Sequence, residues 1–309
     1  MPNEAQRQRE VDLYRIVDSL PDAAYDDIAR LASMLCGAPI ALISLIDRDR
    51  QWFKARKGLD TIAMPRDIAF CDHAIRQPDR LMEVRDAEAD PRFANNPLVT
   101  GDLGLRFYAG MPLVTPGGAA VGAVCVIDHE PRELDDTQRA ALESLARLTM
   151  NLMEGTRRER QLERAVRLEP AARVAAAASA SDTVLRPYSI AIFQLQDFAH
   201  VVALQGDRTV ERTLQEADRV LHSVLAPEDS IDRVTGSGEF VALLHGDTPE
   251  AALNGLRSRF EVIERELGTR VLLGFARAAS PDESPEAVYM RADAVLTAAK
   301  DAAPARRPD

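Results

Sequence analysis

The sequence predicts two domains of mixed α+β / α/β class joined by a helix. Three observations predict it. The 309 residues leave room for two cores of ordinary size. Apolar residues along the chain switch between helical spacing and short branched runs bounded by Gly, Pro and Asp. Residues 171–183, AARVAAAASASDT, offer nothing to bury and read as a linker. A hydrophobic fraction of 46% with 28% charged residues is that of a globular chain, not a disordered one.

Residues 8–18 and 22–36 repeat apolar side chains at helical spacing, Val11, Tyr14 and Ile16 in the first, Ile28, Leu31 and Leu35 in the second. Gly37 is a C-cap candidate and Pro39 a stop signal. Ala41 to Ile46 reads as a strand that turns through Asp47–Arg50 into a second, Gln51 to Ala55. Phe107–Val114 and Ala120–Ile127, separated by Pro116-Gly-Gly118, read as a hairpin. A helix follows from about Asp135 to Leu168, with Leu142, Leu145, Leu148, Leu152 and Leu162 in a stripe and Arg157–Arg160 exposed; Pro170 should end it. A second domain runs from about 186 to 301, and the tail 302–309 is expected to be disordered.

Composition excludes several classes. The formal net charge of -11, without a basic cluster, argues against nonspecific nucleic-acid binding. No apolar run approaches the ~20 residues that span a bilayer. The amphipathic, charged segment MPNEAQRQREVDLYR is no signal peptide, so a soluble cytoplasmic protein is expected. Cys36, Cys71 and Cys125 are too widely spaced for a disulfide framework or a zinc site, and no metal or cofactor is expected.

Within Phe70-Cys-Asp-His-Ala-Ile75, Cys71 and His73 could ligate a metal, hold haem iron or carry a thioether-linked bilin. The plainer reading packs Cys71 and Ile75 inward and lets His73 hydrogen-bond a loop; it is preferred because no second ligand pair sits nearby. Trp52, Phe53, Arg106, Phe107 and Tyr108 could line a site for an anionic or planar ligand, or form sheet core with an Arg rim. Asp86, Asp90 and Arg92 read as caps and ion pairs that fix a long loop.

Three blocks carry a family resemblance for this first domain: ALISLIDRDRQWFKARKGLD (41–60), RDIAFCDHAI (66–75), and DPRFANNPLVTGDLGLRFYAGMPLV (90–114) followed by VGAVCVIDHEPREL (121–134). Residues 9–155 resemble a GAF domain, which places the first domain at 1–155 and the connecting helix and linker at 156–185. The resemblance implies an antiparallel sheet flanked by helices, with a pocket for an unidentified small ligand or a docking surface. The candidate pocket residues are Trp52, Phe53, Cys71, His73, Arg106 and Tyr108. The Phe-Cys-x-His-Ala-Ile block is common in GAF domains without a known chromophore.

In the second domain, Arg233-Val-Thr-Gly-Ser-Gly-Glu-Phe240 precedes the apolar run Val241–Leu244 and reads as a hairpin turn. Around it, SIAIFQLQDFAHVVALQGD (189–207), a helix over Thr209–Leu225, VLLGFARA (271–278) and EAVYMRADAVLTAAK (286–300) complete a pattern that resembles the GGDEF (diguanylate cyclase) domain. That resemblance implies a central sheet with surrounding helices. It also implies two metal ions held by carboxylates, which neutralise the transferred phosphoryl group. Those carboxylates fall at Gln194, Gln196 and Gly238, with Val202 and Ala203 at the base-reading positions. Asp197 is available, but strand alternation should aim it away from Gln194 and Gln196. Gly236 keeps a glycine, Ser237 replaces one, and Glu239 alone survives from the acidic pair. The family's inhibitory Arg-x-x-Asp falls on Ala226-Pro-Glu-Asp229, where the Arg is lost. The expectation is a fold kept and a reaction lost: a non-catalytic signalling protein, homodimeric, with a protein partner and GTP or cyclic di-GMP as further ligands. The alternatives are an active cyclase and a photosensor or redox sensor using Cys71 or His73.

Overall fold

The computed structural model describes residues 4–179, 187–234, 236–246, 248–280 and 283–302. The described residues form two compact units, one running up to Arg158 and the other beginning at Glu159.

In the first unit, α1 spans Glu4–Tyr14 and α2 spans Ala23–Cys36. The first helix lies four residues earlier than its apolar spacing predicts. Arg15 and Asp18 adopt φ of 48° and 60°, left-handed conformations that no α-helix continues through. The second is bounded as expected: Asp22 accepts from the Ala24 N–H at 2.9 Å, and Gly37 closes it at φ 62°. Strands β1 (Ile40–Ile46), β2 (Arg50–Lys57), β3 (Ala63–Pro65), β4 (Met82–Val84), β5 (Phe107–Val114) and β6 (Ala120–Asp128) form one antiparallel sheet in the order β3-β2-β1-β6-β5-β4. Two short helices, α3 (Phe70–Ala74) and α4 (Pro97–Thr100), lie in the crossovers. Period-2 alternation sends Ile40, Leu42 and Ile46 of β1, Cys125 and Ile127 of β6 and Tyr108 of β5 into one apolar cluster with Phe53, Phe70 and Phe93.

Helix α5 spans Asp136–Ser179. Asp135 and Gln138 cap its start reciprocally, each side chain accepting from the other's backbone N–H at 2.8 and 3.0 Å. Pro170 does not end it, contrary to expectation. A proline inside a helix forfeits one hydrogen bond and costs about 3 kcal/mol, but the Ala-rich run that follows has the highest helical propensity of any composition. The expected linker is therefore helical up to Ser179, and residues 180–186 and the tail from 303 lie outside the described residues. The leucine stripe divides: Leu142 and Leu145 are core, whereas Leu148 and Leu162 are 54% and 69% exposed.

The second unit orders its strands β7 (Tyr188–Leu195), β8 (Ser230–Arg233), β9 (Glu239–His245) and β10 (Val271–Arg277) as β10-β7-β9-β8, all antiparallel. Helices α6 (Phe198–Gln205), α7 (Asp207–His222), α8 (Glu250–Leu267) and α9 (Pro285–Ala302) surround it. Strand β7 is central and buried on both faces, so it reads as a continuous apolar run. Ile190 and Ile192 pack with Val288, Tyr289 and Leu296 of α9. On the other face Phe193 stacks on Phe260 of α8, with ring centroids 4.2 Å apart. Helix α8 escaped the sequence reading, although Leu253, Leu256, Phe260, Ile263 and Leu267 follow a 3-4-3-4 spacing and are all buried. Among the described residues, no helix is long and apolar enough to cross a membrane.

Candidate functional site

In the first unit a cavity opens between the sheet and α3, walled mainly by aliphatic side chains and by Phe70, Gln51, Cys71 and Tyr108. Its polar atoms converge on one sulfur. Gln51 Nε2 and the Tyr108 hydroxyl each donate to Cys71 Sγ at 3.2 Å, and Cys125 Sγ lies 3.7 Å away. Burial pushes the Cys71 thiol up, but the hydrogen bonds from Cys125, Ser44, Tyr108 and Gln51 outweigh it and hold it below the usual thiol value. Cys125 is pushed the other way, first by its hydrogen bond to Cys71 and then by burial. Burial also raises the Tyr108 phenol well above its ordinary range, so it stays a donor. Its ring lies across Gly110, where a Cβ would strike the hydroxyl. Among the described residues, no charged side chain lines this cavity.

Of the six expected pocket residues, Cys71 and Tyr108 line the cavity and four do not. Phe53 is buried in the adjoining core, while Trp52 alternates to the other face of β2. Cys71 and His73 do not converge, because residues two apart on a helix point to different sides. The His73 ring meets Phe93 edge-on with centroids 4.8 Å apart, and burial lowers its pKa. Arg106 is held by Asp86 in two hydrogen bonds of 3.0 and 2.9 Å and lies 3.3 Å from Glu88. Asp86 and Asp90 also accept from the backbone N–H of Glu88 and Arg92, so this loop is fixed by its own acids. Gln51 and Cys125 were not picked out by sequence reasoning. The available signals were an amide entering an apolar strand and a thiol in the run Val124-Cys-Val126.

In the second unit the segment 234–238 joins β8 to β9, with Thr235 outside the described residues. Val234 N–H donates to the Glu239 carbonyl at 2.8 Å, and Ser237 Oγ donates to the Val234 carbonyl at 3.0 Å while accepting from Glu239 N–H at 3.3 Å. Ser237 thus serves the turn itself. Gly236, at φ 65°, faces open space. Gly238 does not: a Cβ there would lie 2.9 Å from Phe198 Cγ and 3.0 Å from Leu195 Cβ. Its closeness to the neighbouring chain is used for packing, and the Leu195 N–H donates to its carbonyl at 2.8 Å.

Gln194 sits directly opposite Glu239 in the β7–β9 register, and its Oε1 is buried with no hydrogen-bond partner. Glu239 is 5% exposed and accepts from the Tyr289 hydroxyl at 3.1 Å. Strand β7 ends at Leu195, so alternation does not govern the next two residues as the sequence suggested. Gln196 N–H donates to the Arg270 carbonyl at 2.8 Å, and Asp197 turns the chain into α6 at φ 51°. Val202 is buried, and the Asp229 carboxylate accepts from His245 N–H at 2.7 Å. Among the described residues no group of three His, Cys, Asp or Glu side chains is placed to hold a metal ion.

Comparison with known proteins matches the GAF domain family over residues 21–152. A cyclic di-GMP phosphodiesterase of Pseudomonas aeruginosa is 44% identical over 149 residues, which are 48% of this chain and 25% of that protein. The chain therefore spans about a quarter of the relative's length. Among solved structures, the free methionine-R-sulfoxide reductase of Neisseria meningitidis is similar at 20% identity and a TM-score of 0.38, covering 52% of this chain and 95% of its own. The GGDEF domain of DgcB from Caulobacter crescentus, solved with cyclic di-GMP, is similar at 23% identity and a TM-score of 0.37, covering 43% and 81%.

Proposed function

We propose, given that residues 21–152 are a GAF domain, that this chain is a signal-transduction protein whose second unit is a GGDEF-like module without phosphoryl-transfer chemistry. The observation that carries the reading is the state of the three metal-ligand positions. Gln194 and Gln196 are neutral amides, poor ligands for a hard cation. At Gly238, Phe198 and Leu195 occupy the space a carboxylate would need. Glu239 alone cannot hold two metal ions, and its carboxylate is engaged by Tyr289. The cyclic di-GMP phosphodiesterase among the relatives supports a place in cyclic di-GMP signalling. The module's role is then binding, with a protein partner favoured over GTP or cyclic di-GMP because Gln194, Gln196 and Gly238 replace the carboxylates that would hold a triphosphate's metal. The test is GTP turnover by the purified chain with magnesium or manganese, beside calorimetry with GTP and cyclic di-GMP. Formation of cyclic di-GMP that Glu239→Ala abolishes would overturn the reading.

The same proposal makes the protein a homodimer through α5. Leu148, Leu162 and Val166 are exposed along it and would supply the apolar seam. Leu148→Glu should lower the mass seen by light scattering to that of a monomer without unfolding the first unit, since its side chain is 54% exposed. A wild-type monomer at micromolar concentration would refute the dimer.

A further inference from the structure

The charged clusters on both units are closed by their own ion pairs, and the second unit's hairpin is filled by its own side chains. One buried group of reactive atoms is left without a structural need. Cys71 and Cys125 place their sulfurs 3.7 Å apart in the core of the first unit, although they lie on different elements and 54 residues apart in sequence. A thiol pair that served only as apolar filler would need no polar company. Here Gln51 Nε2 and Tyr108 Oη both aim at Cys71 Sγ at 3.2 Å, and the cavity reaches that sulfur but is not lined by Cys125. The arrangement is asymmetric: one sulfur faces a cavity with two donors to support negative charge, and a second thiol stands directly behind it.

We infer that Cys71 and Cys125 form a peroxide-reactive pair, Cys71 attacking a small hydroperoxide admitted to the cavity and Cys125 resolving the product to a disulfide. The Cys71 sulfur attacks one peroxide oxygen and the O–O bond breaks. The other oxygen leaves with the Cys71 proton as water, and Cys71 becomes a sulfenic acid. Cys125 sulfur then attacks Cys71 Sγ and displaces its oxygen, which departs as water with the Cys125 proton. Two thiols lose two electrons in all, and one peroxide gains them. Closing the contact from 3.7 Å to the ~2.05 Å of a disulfide requires the two sulfurs to approach by roughly 1.7 Å. The lining favours a small, uncharged oxidant, because no cation is present to bind a carboxylate or phosphate. The chemistry stands on these atoms alone; only its use as a signal rests on the sensory reading of the GAF domain.

Intact-mass and peptide mapping of the reduced full chain, titrated with hydrogen peroxide, tests it. The wild type should lose two hydrogens and yield a Cys71–Cys125 linked peptide. Cys36→Ser should behave as wild type, since Cys36 ends α2 and lies outside the core cluster that holds Cys71 and Cys125. Cys125→Ser should stop at one added oxygen, trapped by a sulfenic-acid reagent, and Cys71→Ser should consume no peroxide. Absence of the linked peptide in the wild type overturns the inference, as does a linkage through Cys36. Should either cysteine variant fail to fold by circular dichroism, the wild-type linkage and the Cys36→Ser result still decide. Neither outcome depends on GTP turnover or partner binding, so failure here and failure of the signalling reading are distinct.

Discussion

Replacing Gly238 by aspartate would restore, on paper, the carboxylate that a two-metal site needs at the turn. The packing around it predicts the opposite result. A Cβ at 238 would lie 2.9 Å from Phe198 Cγ and 3.0 Å from Leu195 Cβ, well inside the ~3.5–4.0 Å optimum for carbon contacts. Phe198 and Leu195 are themselves buried, so neither can retract into solvent. Overpacking of this kind costs about 1–3 kcal/mol. The carboxylate also enters among the apolar side chains of Phe198 and Leu195, where desolvation adds about 1–2 kcal/mol unless it protonates. A total of about 2–5 kcal/mol corresponds to a fall of roughly 5–15 °C in Tm for a unit of this size. Calorimetry of the full chain should show that fall in the second unit's transition. Gly238→Ala separates the steric part, because Gly238 does not adopt the left-handed backbone that favours glycine. If Ala and Asp at 238 both melt with the wild type, or if Gln194→Asp with Gly238→Asp makes cyclic di-GMP, the packing reasoning is refuted.

Tyr289→Phe removes the hydroxyl that donates to buried Glu239 at 3.1 Å and should cost about 1–3 kcal/mol in urea unfolding; an unchanged midpoint would show that other partners suffice. Gly110→Ala should destabilise the first unit by about 1–3 kcal/mol because its methyl strikes the Tyr108 hydroxyl. Adding Tyr108→Phe should recover part of that loss, and additive effects in the double-mutant cycle would argue against the clash. Glu4, hydrogen-bonded by Arg7 and by Arg66, has its pKa held down at about 2 from an ordinary 4.5. Its stabilisation is therefore complete above pH 4.5 and lost as pH falls toward 2. With a side chain 55% exposed, that contribution is discounted to about 0.5–1 kcal/mol. Glu4→Gln should lower stability by that amount at pH 7 and by nothing near pH 2, and an equal loss at both would refute the charge argument.

Much of the secondary structure follows from short-range pattern alone. The hairpin of Phe107–Val114 with Ala120–Asp128 is legible because two short apolar runs flank a Pro-Gly-Gly turn. Helix α2 is equally legible, its ends marked by Asp22 and Gly37. The amides at 194 and 196 and the glycine at 238, on which the proposed loss of chemistry rests, are likewise a property of the residues themselves. What needed tertiary structure was every contact between residues far apart in the chain. Spacing could not show that Cys125 stands behind Cys71, that Gln51 reaches the same sulfur, or that Trp52 faces away from both, because register and crossover decide which strand faces coincide. The stop of α1 at Tyr14 and the turn at Asp197 depend on backbone conformations that side-chain patterns do not encode. Gly238 shows the division most directly. Its identity leaves no carboxylate at the turn, which the sequence shows, and only the folded chain, by seating Phe198 and Leu195 against it, removes the room to add one.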